Sequence, residues 1–181
     1  AASIAYNECR AFRFRGPLDE HKLVACLDRL VERHEALRHT FSPDGEECRT
    51  GPSYTVPLRR LDLRPQSDEG RRESLAKVRS YEVATPFDLE NGPCFRGALV
   101  HLTDDETELL LCAHHICVDG SSWEVLIREL ATLYRDAGEA DPLDPADSFA
   151  AYSARVFSTS FQKDKARARA YWLKRLDGQS E

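Results

Sequence analysis

The sequence predicts an α/β domain, an α+β sandwich in which helices pack on a mixed sheet. Three observations lead there. Residues 109–113, Leu-Leu-Leu-Cys-Ala, are apolar on both faces, the mark of a central strand covered from both sides. Strand-like alternation and helix-like stripes interchange along the chain. The length of 181 residues, with 41% hydrophobic and 31% charged, fits one domain with a substantial core.

Residues 10–18 alternate apolar and polar, as a strand with one wet face does, and Gly16-Pro17 ends it. Asp19 then caps a helix whose face carries Leu23, Leu27, Leu30 and Val31, running to about Leu37. Residues 38–63 read as short strands around the turns Pro43-Asp44-Gly45 and Gly51-Pro52, and 64–70 as a polar loop. Residues 71–84 are helical in pattern, with Leu75, Val78 and Val83 facing inward. Two strands, 95–102 and 108–113, flank the turn at Thr103–Glu106. After Asp119-Gly120 a helix starts, with Ser121 and Glu124 at capping-box spacing and Trp123, Leu126, Ile127, Leu130 and Tyr134 in a stripe. A linker over 136–147, with Gly138, Pro142 and Pro145, precedes a last helix over 148–176.

A net charge of -6 disfavours a nucleic-acid footprint, and no apolar run reaches the length of a membrane span. The chain has no Met, so a trimmed N-terminus is expected. Six cysteines make no CxxC pair and no zinc spacing, so no metal site is expected. Cys26 and Cys112 sit in apolar stretches and read as buried free thiols, which points to a reducing cytoplasm with disulfides as the lesser alternative.

The chemistry concentrates at His114-His115-Ile116-Cys117-Val118-Asp119-Gly120. A buried strand delivers two adjacent histidines, and strand alternation lets only one of them face a given cavity. The positive end of the following helix would help to keep that imidazole neutral and basic. Asp119 can pair with an arginine or hold the loop, and Gly120 permits close approach of the backbone. Adjacent histidines at a strand end are most often structural, and i, i+1 residues point apart, which disfavours a shared metal. Cys117 reads as a packing thiol. Arg33, His34 and Glu35 by spacing alone read as a solvated helix end, Trp123 and Tyr134 as core, Lys163–Arg169 as a wet helix face, and Ser121 as a helix cap, neither it nor Ser122 being an acylating residue.

Other segments, in order, accompany this motif. Tyr6-Asn7 and Gly16-Pro17-Leu18-Asp19, Arg33-His34-Glu35-Ala36-Leu37-Arg38-His39-Thr40-Phe41, Pro86-Phe87-Asp88-Leu89 with Gly92-Pro93 and Phe95-Arg96, and Tyr171-Trp172-Leu173-Lys174-Arg175-Leu176 cover nearly the whole chain. Together with HHxxxDG they resemble the condensation domains of nonribosomal peptide synthetases. The resemblance implies a chloramphenicol acetyltransferase-like lobe, one of two that form a tunnel. Donor and acceptor carrier proteins would present thioesters on phosphopantetheine, and the acceptor amine would attack the donor thioester to give an amide. No cofactor is expected to be bound by the domain itself, and an adenylation domain is expected as a neighbour.

By position His115 is the implied catalytic residue, accepting the amine's proton or orienting the amine and stabilising the tetrahedral intermediate. His114 is implied to point into the structure. Asp119 is implied to form a salt bridge with an arginine, Arg33 and Arg38 being candidates here and the missing lobe the other source, and the Gly120 N–H to lie beside the reacting centre. The family's opening motif and C-terminal lobe are not in this sequence, so residues 1–181 read as the N-terminal lobe, inactive alone. Ser121 stands where the family often has Trp, and Ser122 matches its serine. Rivals are an epimerization domain and a non-catalytic recruitment domain. A cyclization domain is disfavoured by His114, where Asp would stand, and a stand-alone acyl-CoA acyltransferase by the flanking motifs.

Overall fold

A computed structural model describes residues 4–136 and 143–177. The chain divides into two compact units, residues 1–145 and 146–181. The first contains strands β1 (Asn7–Arg15), β2 (His39–Phe41), β3 (Cys48–Thr50), β4 (Leu58–Asp62), β5 (Phe95–His101) and β6 (Glu106–His114), and helices α1 (Glu20–Arg33), α2 (Asp68–Ala84) and α3 (Gly120–Arg135). The main sheet has the order β1-β6-β5-β4. Its β1–β6 and β5–β6 pairs are antiparallel and β4–β5 is parallel, so the sheet is mixed as expected. β2 and β3 form a separate antiparallel pair.

Side-chain alternation sorts the strands between two cores. Phe95, Leu99, Leu109, Leu111 and Ala113 pack with Leu23, Leu27 and Leu30 of α1 and Trp123, Leu126 and Leu130 of α3. The opposite face offers Ala98, Val100 and Leu110 to Leu75 and Val78 of α2. β6 is thus central and covered on both faces. Gly97 is required by packing, since a Cβ there would lie 2.5 Å from the Leu110 carbonyl oxygen. Gly16, at φ 95°, ends β1 with a backbone that other residues rarely adopt.

Local chemistry sets the boundaries. Asp19 caps α1, accepting the Lys22 N–H at 3.0 Å. The helix stops at Arg33, short of the expected Leu37, and a 3-10 turn follows at Glu35–Arg38. Arg38 explains the early end. Its guanidinium donates to the carbonyls of Val31 at 2.9 Å and Glu32 at 3.3 Å, satisfying the last turn from outside the helix. α2 starts at Asp68, three residues earlier than expected, because Ser67 accepts the Gly70 N–H at 3.2 Å.

One inward assignment changes. Val83 is 48% exposed, and Glu82 is buried in its place, held by Arg59 at 2.9 Å and Arg96 at 3.3 Å. Glu108 on β6 is likewise buried and paired, with Arg13 and Arg79. Such pairing is what permits a buried carboxylate.

Cys112 is not a free thiol. It is joined to Cys9, which lies directly opposite in the antiparallel β1–β6 register, with Cα atoms 4.1 Å apart. The sequence separation of 103 hides this juxtaposition. Cys26 is buried and free, as expected.

In the second unit the expected single helix over 148–176 is two, α4 (Phe149–Val156) and α5 (Thr159–Leu176). Ser158 is extended and accepts the Phe161 N–H, which starts the second helix afresh. Within the expected linker, Gly138 and Pro142 lie outside the described residues.

Candidate active site

Strand β6 ends at His114, between β1 and β5. The His114 ring points to the α2 side and is buried, with Tyr6 and Phe87 against it at centroid distances of 6.1 and 6.2 Å. Its Nδ1 accepts the Ile116 N–H at 3.2 Å, so the neutral ring carries its proton on Nε2. Burial, and then the neighbouring His115, push its pKa down. The Pro86–Leu89 segment supplies part of this seat. Phe87 stacks beneath the Arg96 guanidinium at 3.8 Å, and Asp88 ties its own turn by accepting from the N–H groups of Glu90 and Asn91.

His115 leaves on the other side. Its side chain is 47% exposed, and its N–H donates to the Tyr6 carbonyl at 2.8 Å. Nδ1 lies 2.7 Å from the Val118 carbonyl oxygen. A carbonyl only accepts, so Nδ1 carries the proton, and in the neutral ring Nε2 holds the free lone pair. The Oε1 atom of Glu8 lies 3.3 Å from Nε2. The hydrogen bond to Val118, and then the charges of Glu8 and Asp119, raise the His115 pKa. This corrects the expectation that the helix terminus keeps the ring neutral. The Val118 carbonyl at 2.7 Å and the Glu8 carboxylate at 3.3 Å both favour the imidazolium.

Asp119 is the N-cap of α3. Its Oδ1 accepts the Ser122 N–H at 2.8 Å and the Ser122 hydroxyl at 2.7 Å, while the Asp119 N–H reaches that hydroxyl at 3.2 Å. The capping box is therefore Asp119–Ser122, two residues ahead of the expected Ser121–Glu124. Among the described residues no arginine pairs with Asp119, and neither Arg33 nor Arg38 is its partner; within this chain Asp119 acts as the cap of α3. Arg33 instead binds Glu129 of α3 at 3.1 Å and the Asp144 carbonyl at 2.6 Å. His34 Nε2 meets the same Glu129 at 2.8 Å. Burial alone would raise the Glu129 carboxyl, but Arg33 and His34 outweigh it and hold it below the usual range. Arg38, besides ending α1, donates to the Gly51 carbonyl at 2.7 Å. The Arg33–Phe41 motif is thus a clamp between α1, α3 and the small hairpin, and it supports the site from outside.

Gly120 opens α3, and a Cβ there would meet no protein atom within 4 Å. The chain's own packing does not demand glycine at this position. Trp123 is buried, as expected, and its Nε1–H donates to Glu8 Oε2 at 2.7 Å. Glu8 is the site residue that sequence reasoning missed. Its signal was a carboxylate in phase with Phe12 and Phe14 on the core side of β1. A cleft of about 890 Å³ opens beside it, lined among others by Arg10, Phe12, Gly120, Trp123 and Arg128. Cys117 and Val118 border a smaller pocket of about 180 Å³ with Leu37 and Leu126. No cluster among the described residues has the make-up of a metal site.

The family model described as Condensation domain matches residues 1–181. The chain belongs to the condensation domain family. It is 34% identical over 182 residues to the phosphinothricin tripeptide synthetase PhsC of Streptomyces viridochromogenes, an overlap that covers 96% of this chain and 16% of that protein. It is 37% identical over 180 residues to malpibaldin synthetase of Mortierella alpina, covering 96% of this chain and 3% of that protein. The chain therefore spans a small fraction of these relatives. Its fold matches the starter condensation domain of the rhizomide synthetase RzmA with a TM-score of 0.78 at 23% identity, over 99% of this chain and 44% of that one. It also matches SgcC5 from Streptomyces globisporus, with a TM-score of 0.76 at 25% identity, over 96% and 40%. A condensation-domain lobe thus accounts for the mixed sheet and for the order of motifs along it. No helix among the described residues is long and apolar enough to cross a membrane.

Proposed function

We propose that this chain supplies the histidine-bearing wall of an amide-forming site in a peptide synthetase. Donor acyl or peptidyl and acceptor aminoacyl groups arrive as thioesters on the phosphopantetheine arms of two carrier proteins. The acceptor amine attacks the donor carbonyl. The C–N bond forms, the C–S bond breaks, and the amine's proton ends on the leaving thiolate. His115 Nε2 is the group placed to relay that proton or to steady the tetrahedral intermediate. The observation that carries this reading is the half-exposed His115 ring, fixed at Nδ1 by Val118, with Nε2 on the exposed side beside the Glu8 carboxylate. The open space over Gly120 suits a backbone that approaches substrate closely. An adenylation domain that loads the acceptor carrier, and a cytoplasmic setting, go with this reading.

The test uses the complete condensation domain containing this chain, with loaded donor and acceptor carrier proteins. Mass spectrometry of the acceptor carrier should find the new amide. Exchange of the α-hydrogen without any amide would point to epimerization instead. Neither change, with both carriers still bound, would point to recruitment without catalysis.

A further inference from the structure

Glu8 occupies a position where a carboxylate needs an explanation. Strand alternation puts it in phase with Phe12 and Phe14, both packed against the main core. A carboxylate on such a face is costly unless its oxygens are satisfied. Both are engaged. Oε2 accepts the Trp123 indole N–H at 2.7 Å and has Arg10 at 3.5 Å, while Oε1 faces His115 Nε2 at 3.3 Å. The indole N–H is a donor only, so it anchors the carboxylate from α3. His115 is anchored in turn by Val118 through Nδ1. In the imidazolium, Nε2 donates to Oε1; once that proton leaves, two acceptor atoms on separately fixed side chains stand 3.3 Å apart.

A carboxylate that merely orients a catalytic histidine sits behind it, at the other ring nitrogen. Glu8 sits in front, where substrate must come. We propose that Glu8 Oε1 and His115 Nε2 together form the seat of the acceptor's α-ammonium group, which makes Glu8 a positioning residue for the primary amine. The inference rests on the amide-forming reading above. One ammonium nitrogen can lie about 2.9 Å from both atoms, donating to each. One proton passes to Nε2 and returns to solvent. The amine, still donating to Glu8, attacks the thioester, and the proton it loses on forming the C–N bond goes to the departing thiolate. The seat favours a group with several N–H donors over a hydroxyl nucleophile, which has one.

The charged groups facing His115 are Glu8 from β1, with Arg10 behind it, and Asp119 from the motif loop; α3 contributes the neutral Trp123, and His114, at the end of β6, points to the opposite side. Removing the Glu8 charge should therefore lower the ring's pKa, since Glu8 is one of the charges that raise it.

The test is Glu8→Gln in the complete condensation domain, because the amide oxygen still accepts the Trp123 N–H. The expected result is a KM for the loaded acceptor raised about tenfold or more, an unchanged KM for the donor, and an acid limb of the pH–rate profile moved to lower pH. Glu8→Asp should recover part of the acceptor KM. An unchanged acceptor KM together with an unchanged profile overturns the proposal. Should Glu8→Gln fail to fold, Trp123→Phe decides: it frees the carboxylate and should raise the acceptor KM alone, and an unchanged KM overturns the proposal. His115→Ala separates the two levels. If it abolishes product while Glu8→Gln behaves as wild type, the amine seat falls and the amide-forming reading stands. If His115→Ala leaves product formation intact, that reading falls.

Discussion

The Val118 carbonyl oxygen lies 2.7 Å from Nδ1 of His115, and this one contact fixes which nitrogen of the neutral ring carries the proton. The turn that makes it is short. The Cys117 N–H closes back on the His114 carbonyl at 2.9 Å, and Asp119 starts α3 at once. The two histidines, adjacent in sequence, consequently live in opposite environments.

Their titrations should separate. The His115 pKa is raised above 6.5 by Val118, Glu8 and Asp119, while burial lowers that of His114. The sign follows from which state binds the proton better. His115 contributes stability that is fully present below its unfolded pKa and lost as pH rises through the folded one. His114 acts oppositely, disfavouring the fold as pH falls far enough to protonate it. Two-dimensional NMR of the imidazoles against pH should place His115 above His114, and the reverse order would contradict the environments described here.

Asp119 should behave as a helix cap. Asp119→Ala should cost about 1 kcal/mol, and Asp119→Asn much less, because asparagine caps nearly as well. A salt bridge would be lost equally in both variants. Urea unfolding of the pair distinguishes the two roles. The Asp119 pKa is lowered, by the Ser122 hydroxyl first, so its contribution should be present above the unfolded pKa and fade as pH falls through the folded one.

The Arg33–Glu129 pair should matter more than a surface bridge. Both side chains are largely buried, and His34 shares the carboxylate. Arg33→Ala leaves Glu129 poorly compensated and should destabilise by about 2–4 kcal/mol. Equilibrium denaturation that gives under about 0.5 kcal/mol, the range of an exposed pair, would contradict the clamp.

Cys9 and Cys112 predict a thiol count. Under denaturing, non-reducing conditions the chain should titrate as four free thiols, Cys26, Cys48, Cys94 and Cys117. Reductant should raise the count to the full six cysteines. Six thiols without reductant would show that the pair stays reduced, as a cytoplasmic setting favours.

Much of this architecture is legible in the chain. The doubly apolar Leu109–Ala113 run identifies the central strand, and the spacing of Leu23, Leu27 and Leu30 identifies the buried face of α1. Strand alternation shows only that the two histidines part; the choice of His115 comes from its place in the HHxxxDG motif. What escapes is whatever depends on cross-strand register or on a side chain acting at a distance. Cys9 meets Cys112 only once β1 is laid on β6. Arg38 ends α1 by reaching back to its carbonyls, and Ser158 splits the last helix by capping. Glu8 looks like one more polar residue on an edge strand until Trp123 and His115 close around it.

The proposed amide-forming reaction depends on His115 Nε2. The most direct measurement is single-turnover amide formation in the complete condensation domain, with both carriers loaded, comparing wild type with His115→Ala. The rate should fall about 10²–10⁴-fold, the range for loss of a positioned acid–base group, while His114→Ala, if folded, retains more. A His115→Ala rate within a few fold of wild type would contradict the account.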